Sequence, residues 1–118
     1  MIDFRKLAKE SAEIIKEKKG KNILILDVRK ISDFTDYLVI ASGTSDTHIK
    51  TLLNEIDQRL PVNSYKKEIK SKSNWVVLDY GGFVVHIFHE VARKYFNLES
   101  NWAKAKEVKI KKRATKRK

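Results

Sequence analysis

Two adjacent glycines, Gly81-Gly82, stand between the apolar runs Trp75 to Tyr80 and Phe83 to Phe88, and this constrains the chain more than any other feature. Both runs are rich in β-formers, and a two-residue glycine loop selects a primed hairpin turn. The loop length dictates the pairing. Trp75 pairs with Phe88, Val77 with His86 and Asp79 with Val84 on one face, while Val76/Ile87, Leu78/Val85 and Tyr80/Phe83 fill the other. The second face is purely core. The first also carries a Trp, a carboxylate and a His, so it is equipped both to pack and to recognise a partner.

The rest of the chain supplies elements to cover that hairpin. Phe4, Leu7, Ala8, Ser11, Ile14 and Ile15 recur with helical period, which predicts a helix over roughly 3 to 19, stopped at Gly20. Ile23 to Val28 and Tyr37 to Ser42 read as two short strands. Gly43-Thr44-Ser45-Asp46 offers a turn and a cap, and the stripe Ile49, Leu52, Leu53, Ile56, Leu60 predicts a second helix ended by Pro61, the only proline. Asn63 to Ile69 reads as an edge strand guarded by Lys66, Lys67 and Lys70. A short helix from about Glu90 to Leu98 follows the hairpin. The order α-β-β-α-β-β-β-α predicts an α+β fold, with a mixed sheet of about five strands covered by helices.

A chain of 118 residues can bury a core without staples, and it has no cysteine, so disulfides, thiol catalysis and cysteine-ligated zinc are excluded. The net charge of +11 suggests nucleic acid until it is located. Residues 104 to 118 hold nine of the 26 basic side chains against one acid, Glu107; the other 103 residues carry 17 basic and 14 acidic groups. This divides the chain into a globular body, 1–103, and a basic tail, 104–118, expected to be disordered when free. Lys111, Lys112, Arg113, Lys116, Arg117 and Lys118 are the candidates for salt-sensitive RNA contact, against the plainer role of a solubilising tail. The longest apolar run, Tyr37 to Ala41, is far too short for a membrane span, and the first twenty residues have no signal-peptide core, so a cytoplasmic protein is expected.

Catalytic chemistry finds little support. Gly43-Thr44-Ser45 before a helix can hold a phosphate, but it lacks the lysine and glycine spacing of a P-loop, and capping explains the same residues. The segment also resembles the start of a nucleotidyltransferase site, without its paired aspartates: Asp46 is followed by His48. His86 and His89 are three apart, hence on opposite faces of a strand, and with Glu90 and His48 they offer no recognisable metal spacing. No cofactor is expected. Trp75, Tyr80 and Phe88 remain as rigid anchors suited to an interface, with core packing as the alternative for each.

These residues resemble the ribosomal silencing factor family, also called Iojap. The likeness is carried by Leu26-Asp27-Val28, Thr35-Asp36-Tyr37, Ile40 to Ser45 with His48, and the block from Trp75 to Trp102. The resemblance implies a nucleotidyltransferase-like fold without catalytic carboxylates. It implies a non-enzymatic factor that binds the large ribosomal subunit through ribosomal protein number fourteen, blocks joining of the small subunit, and represses translation under nutrient limitation. Carried over residue by residue, it makes Trp75, Asp79, Tyr80, His86, Phe88 and Phe96 the contact residues, and it leaves open a homodimer of the free protein. The family's glycine-aspartate turn is glycine-glycine here. A nucleotide-binding enzyme of nucleotidyltransferase type and a basic RNA-binding module stand as the alternatives.

Overall fold

A computed structural model describes residues 3–70, 74–91 and 106–108. The elements are α1 (Phe4–Glu17), β1 (Lys21–Asp27), β2 (Tyr37–Gly43), α2 (Asp46–Arg59), β3 (Lys66–Lys70), β4 (Trp75–Asp79), β5 (Phe83–His89) and β6 (Lys106–Glu107). One six-stranded sheet has the order β3-β4-β5-β2-β1-β6. Only β2 and β5 run parallel; the other neighbours are antiparallel, so the sheet is mixed as expected.

Local chemistry sets the helix ends. Asp3 caps α1 by accepting from the Lys6 N–H at 3.1 Å, and Ser45 caps α2 by accepting from the His48 N–H at 3.0 Å. Leu60, held before Pro61, turns extended at φ −73°, ψ 144° and ends α2. Gly20 stops α1 by close approach: a Cβ there would collide with Ile15 Cγ2, while Lys19 takes the left-handed turn at φ 68°.

The apolar run of β2 occupies the sheet centre and is buried along its whole length, as a strand covered on both faces must be. On one face, Ile25, Val39, Ala41, Val76, Leu78, Val85 and Ile87 pack under Leu7, Ala8, Ile15, Ile49, Leu52 and Ile56 of α1 and α2. On the other, Leu26, Val28, Leu38, Ile40 and Phe88 form a second cluster, with Leu24, Trp75 and Val84 packed against it. All five hairpin pairs fall in the register that the Gly81-Gly82 loop dictates.

One boundary needs revision. Lys106–Glu107 lies in the stretch assigned to the tail, yet it pairs with Leu26 and Asp27, and the Val108 N–H donates to the Ile25 carbonyl at 2.8 Å. Val108 is buried among the core residues, and that apolar contact is what charge density alone hid; residues 109–118 lie outside the described residues. The five expected strands are all present, and among the described residues this two-residue strand adds a sixth at the sheet edge. Of the third helix, Glu90 and Val91 have helical backbone, and the remainder to Leu98 lies outside the described residues.

Candidate partner-binding site

The hairpin builds the site from its own register. Trp75, Val77 and Asp79 alternate with the core residues of β4, and their partners Phe88, His86 and Val84 do the same on β5. The Trp75 indole stacks on Phe88 at 5.1 Å with an interplanar angle of 21°, and its Nε1–H donates to His86 Nδ1 at 3.1 Å. His86 in turn lies over Phe88, 6.3 Å between centroids and 10° from parallel. Three rings are thus locked in one orientation, with Trp75 and His86 partly exposed and Phe88 fully buried as the wall behind them.

Asp79 is accounted for by the turn. Its Oδ1 accepts from the Gly81 N–H at 2.8 Å, an Asx-type turn that fits Gly81 at φ +86°. A substitution at Gly81 would also drive a Cβ to 2.7 Å from the Tyr65 ring, and one at Gly82 would enter the Phe4 ring. The D-x-G spacing held this signal in the sequence. The Gly82 carbonyl accepts from the Asp36 and Tyr37 N–H groups, joining the β1–β2 loop to the same end of the sheet. Around that end Phe34 is 93% and Tyr65 83% exposed, two aromatics that periodicity does not single out.

The expected contact set is therefore only partly brought together. Trp75, Asp79, His86 and Phe88 share one face. Tyr80 does not: it stacks on Phe83 at 4.7 Å and is 4% exposed on the helix-covered side, as strand alternation requires. Its Oη is buried without a hydrogen-bond partner among the described residues, and burial pushes the phenol well above its usual range. Phe96 lies outside the described residues, as do Lys111, Lys112, Arg113, Lys116, Arg117 and Lys118.

The Gly43 turn is occupied by capping. His48 Nδ1 accepts from the Thr44 N–H at 3.0 Å and its Nε2 meets the Lys18 carbonyl at 2.9 Å, tying the start of α2 to the end of α1. Two amides that an incoming phosphate would use, those of Thr44 and His48, are already bonded to side chains of the same segment. β5 continues through His89, so His86 and His89 do face opposite ways; among the described residues no group of three metal-ligating side chains converges. No helix among the described residues is long and apolar enough to cross a membrane.

A mixed α+β sheet that carries an aromatic, hydrogen-bonded face beside a capped glycine turn has the form of a partner-binding domain. The chain belongs to the ribosomal silencing factor family, whose members regulate translation by binding the ribosome and are not enzymes: the family model, described as ribosomal silencing factor during starvation, matches residues 2–118. The silencing factor RsfS of Bacillus subtilis is 35% identical over 107 residues, covering 88% of this chain and 91% of that protein. A mitochondrial Iojap-related protein of Arabidopsis thaliana is also 35% identical, over 80% of this chain and 55% of its own length. A crystal structure from Chromobacterium violaceum superposes with a TM-score of 0.82 at 26% identity, covering 97% of this chain and 98% of that one.

Proposed function

We propose that this protein silences translation by docking on the large ribosomal subunit through ribosomal protein number fourteen and blocking access of the small subunit. The observation that carries the proposal is the ring ladder Trp75–His86–Phe88, a rigid amphipathic surface whose donor and acceptor are already aligned. Interfaces concentrate their energy in such anchors, because little side-chain freedom remains to be lost on binding. Trp75 and His86 make the contact, Phe88 supports Trp75 from behind, Asp79 fixes the adjoining turn, and Phe96 completes the surface. The basic residues from Lys111 to Lys118 touch ribosomal RNA nearby, and the cytoplasm is the site of action. The free protein pairs through the same face, which makes a homodimer and the ribosome-bound form mutually exclusive.

Sedimentation of mixed subunits tests this directly. Added protein should comigrate with large subunits and lower the fraction of joined ribosomes, and Trp75→Ala should lose both effects while staying folded by circular dichroism. Comigration that survives in Trp75→Ala would move the site elsewhere.

A further inference from the structure

The bond between Trp75 and His86 fixes a protonation state. An indole N–H can only donate, so His86 Nδ1, 3.1 Å from Trp75 Nε1, must be the acceptor. The imidazole that does this is neutral, with its one proton on Nε2. The doubly protonated ring carries an N–H at both nitrogens. It would meet the indole donor to donor, and the bond could not form. Both rings are partly exposed, so water can deliver that second proton.

Register makes this bond the directional contact of the face. Trp75 pairs with Phe88, and His86 with Val77, so the two rings meet on a diagonal, 5.9 Å apart and tilted by 31°. Each also lies against Phe88, at 5.1 and 6.3 Å. Stacking tolerates rotation in the ring plane, whereas a hydrogen bond weakens steeply when it is bent. Among the described residues, β2 faces His86 with Ile40 and, on the diagonals, Leu38 and Ser42. β4 faces it with Val77 and, on the diagonals, Trp75 and Asp79. Asp79 is the one carboxylate in that set, and it accepts from the Gly81 N–H. One strand further out, Lys66, Glu68 and Lys70 of β3 stand opposite Asp79, Val77 and Trp75, and Lys66 pairs with Glu68 at 3.8 Å. Helices α1 and α2 pack on the other side of the sheet.

We propose that His86 is a proton-operated switch on the docking face: the neutral ring holds Trp75 in place for binding, and uptake of a proton at Nδ1 releases the indole and weakens docking. The inference rests on the ribosomal reading above for what the face binds, and on the ring geometry alone for its response to acid. The sign follows from the bond. The docking arrangement is favoured above the range in which histidine gains its second proton, about 6.5 for an unperturbed ring, and is lost as pH falls through that range. A charged imidazole keeps its place over the Phe88 ring, so the change is local and the strand pairing stays intact.

Two measurements on the full chain test it. Nitrogen NMR at neutral pH should find His86 with Nδ1 bare and Nε2 protonated, and the Trp75 indole signal, assigned through Trp75→Phe, should shift as His86 titrates. Sedimentation with large subunits should show binding about tenfold weaker at about pH 5.5 than at about pH 7.5. His86→Asn places an amide oxygen where Nδ1 stood and does not titrate. Whatever its affinity at neutral pH, that affinity should change by less than about twofold between the two conditions. His86→Leu, with no acceptor, should bind weakly in both. His48 and His89 titrate in every variant, so the difference between wild type and His86→Asn isolates His86. The switch is overturned if Nδ1 carries the proton at neutral pH, if the indole signal ignores the titration, or if His86→Asn falls in acid as far as wild type does. Should wild type bind no large subunits at any pH, the ribosomal reading fails, and the NMR result alone decides whether the ring pair answers to protons.

Discussion

Beneath α1 and α2 the sheet presents Val39, Ala41, Val76, Leu78, Val85 and Ile87, whereas its reverse presents Leu38, Ile40, Trp75, Val77, His86 and Phe88. The same strands make both faces, one residue apart. The helix side is apolar throughout, aliphatic at the sheet centre with Tyr80 and Phe83 at one end, and what it gains is stability. The reverse gives up some apolar area for an indole N–H and an imidazole, which bond each other at 3.1 Å. A polar pair in that position adds less to folding than two aliphatic side chains would, but it fixes the orientation of both rings. Fully buried apolar groups and half-buried rings thus alternate along one hairpin.

Substitutions should separate the two faces by kind as well as by size. Phe83→Ala, which empties a fully buried ring site beneath α1, should cost about 3–5 kcal/mol in urea unfolding. Trp75→Ala should lower ribosome binding by about 2 kcal/mol or more with a smaller loss of stability; a stability loss as large as that of Phe83→Ala would erase the contrast. Gly82→Ala, which forces a methyl into the Phe4 ring, should destabilise by about 1–3 kcal/mol and disturb both faces, because the turn is common to them. His48→Ala breaks the α1–α2 bridge and should cost about 1–2 kcal/mol without changing ribosome affinity in a sedimentation assay.

The smallest effect is expected at Asp27. The Arg29 guanidinium, bonded to both carboxylate oxygens at 3.0 and 2.7 Å, holds this carboxyl below its usual range. The stabilisation is present above the ordinary carboxylate value and lost as pH falls through the lowered folded value. Asp27→Asn should therefore be slightly less stable than wild type near neutrality and match it in acid. A gap that persists at low pH would assign the effect to something other than this ion pair.

Short-range chemistry was the legible part of the fold. Gly81-Gly82 implied all five hairpin pairs, Ser45 its helix start, and Pro61 the extended Leu60. The parallel pairing of β2 with β5 was not readable, because residues 46 positions apart meet there and no local signal names the neighbour. β6 was hidden for a different reason: two residues with one apolar neighbour, Val108, carry too little pattern to stand out in a run of lysines. At the candidate site, alternation correctly placed Trp75 and His86 together. It also placed Tyr80 with Phe83 on the core side, and the expected contact set, carried over by resemblance, overrode that pattern.

The pairing of β6 with β1 also has a consequence for how the protein is made. A growing chain emerges from its amino end, so β1 can pair with β2 early, while its outer edge stays bare until residues 106–108 have been synthesised. An unpaired edge beside a buried apolar strand is a template for wrong association. For a member of a ribosome-binding family, the strand that closes the sheet is made well after the strand it pairs with.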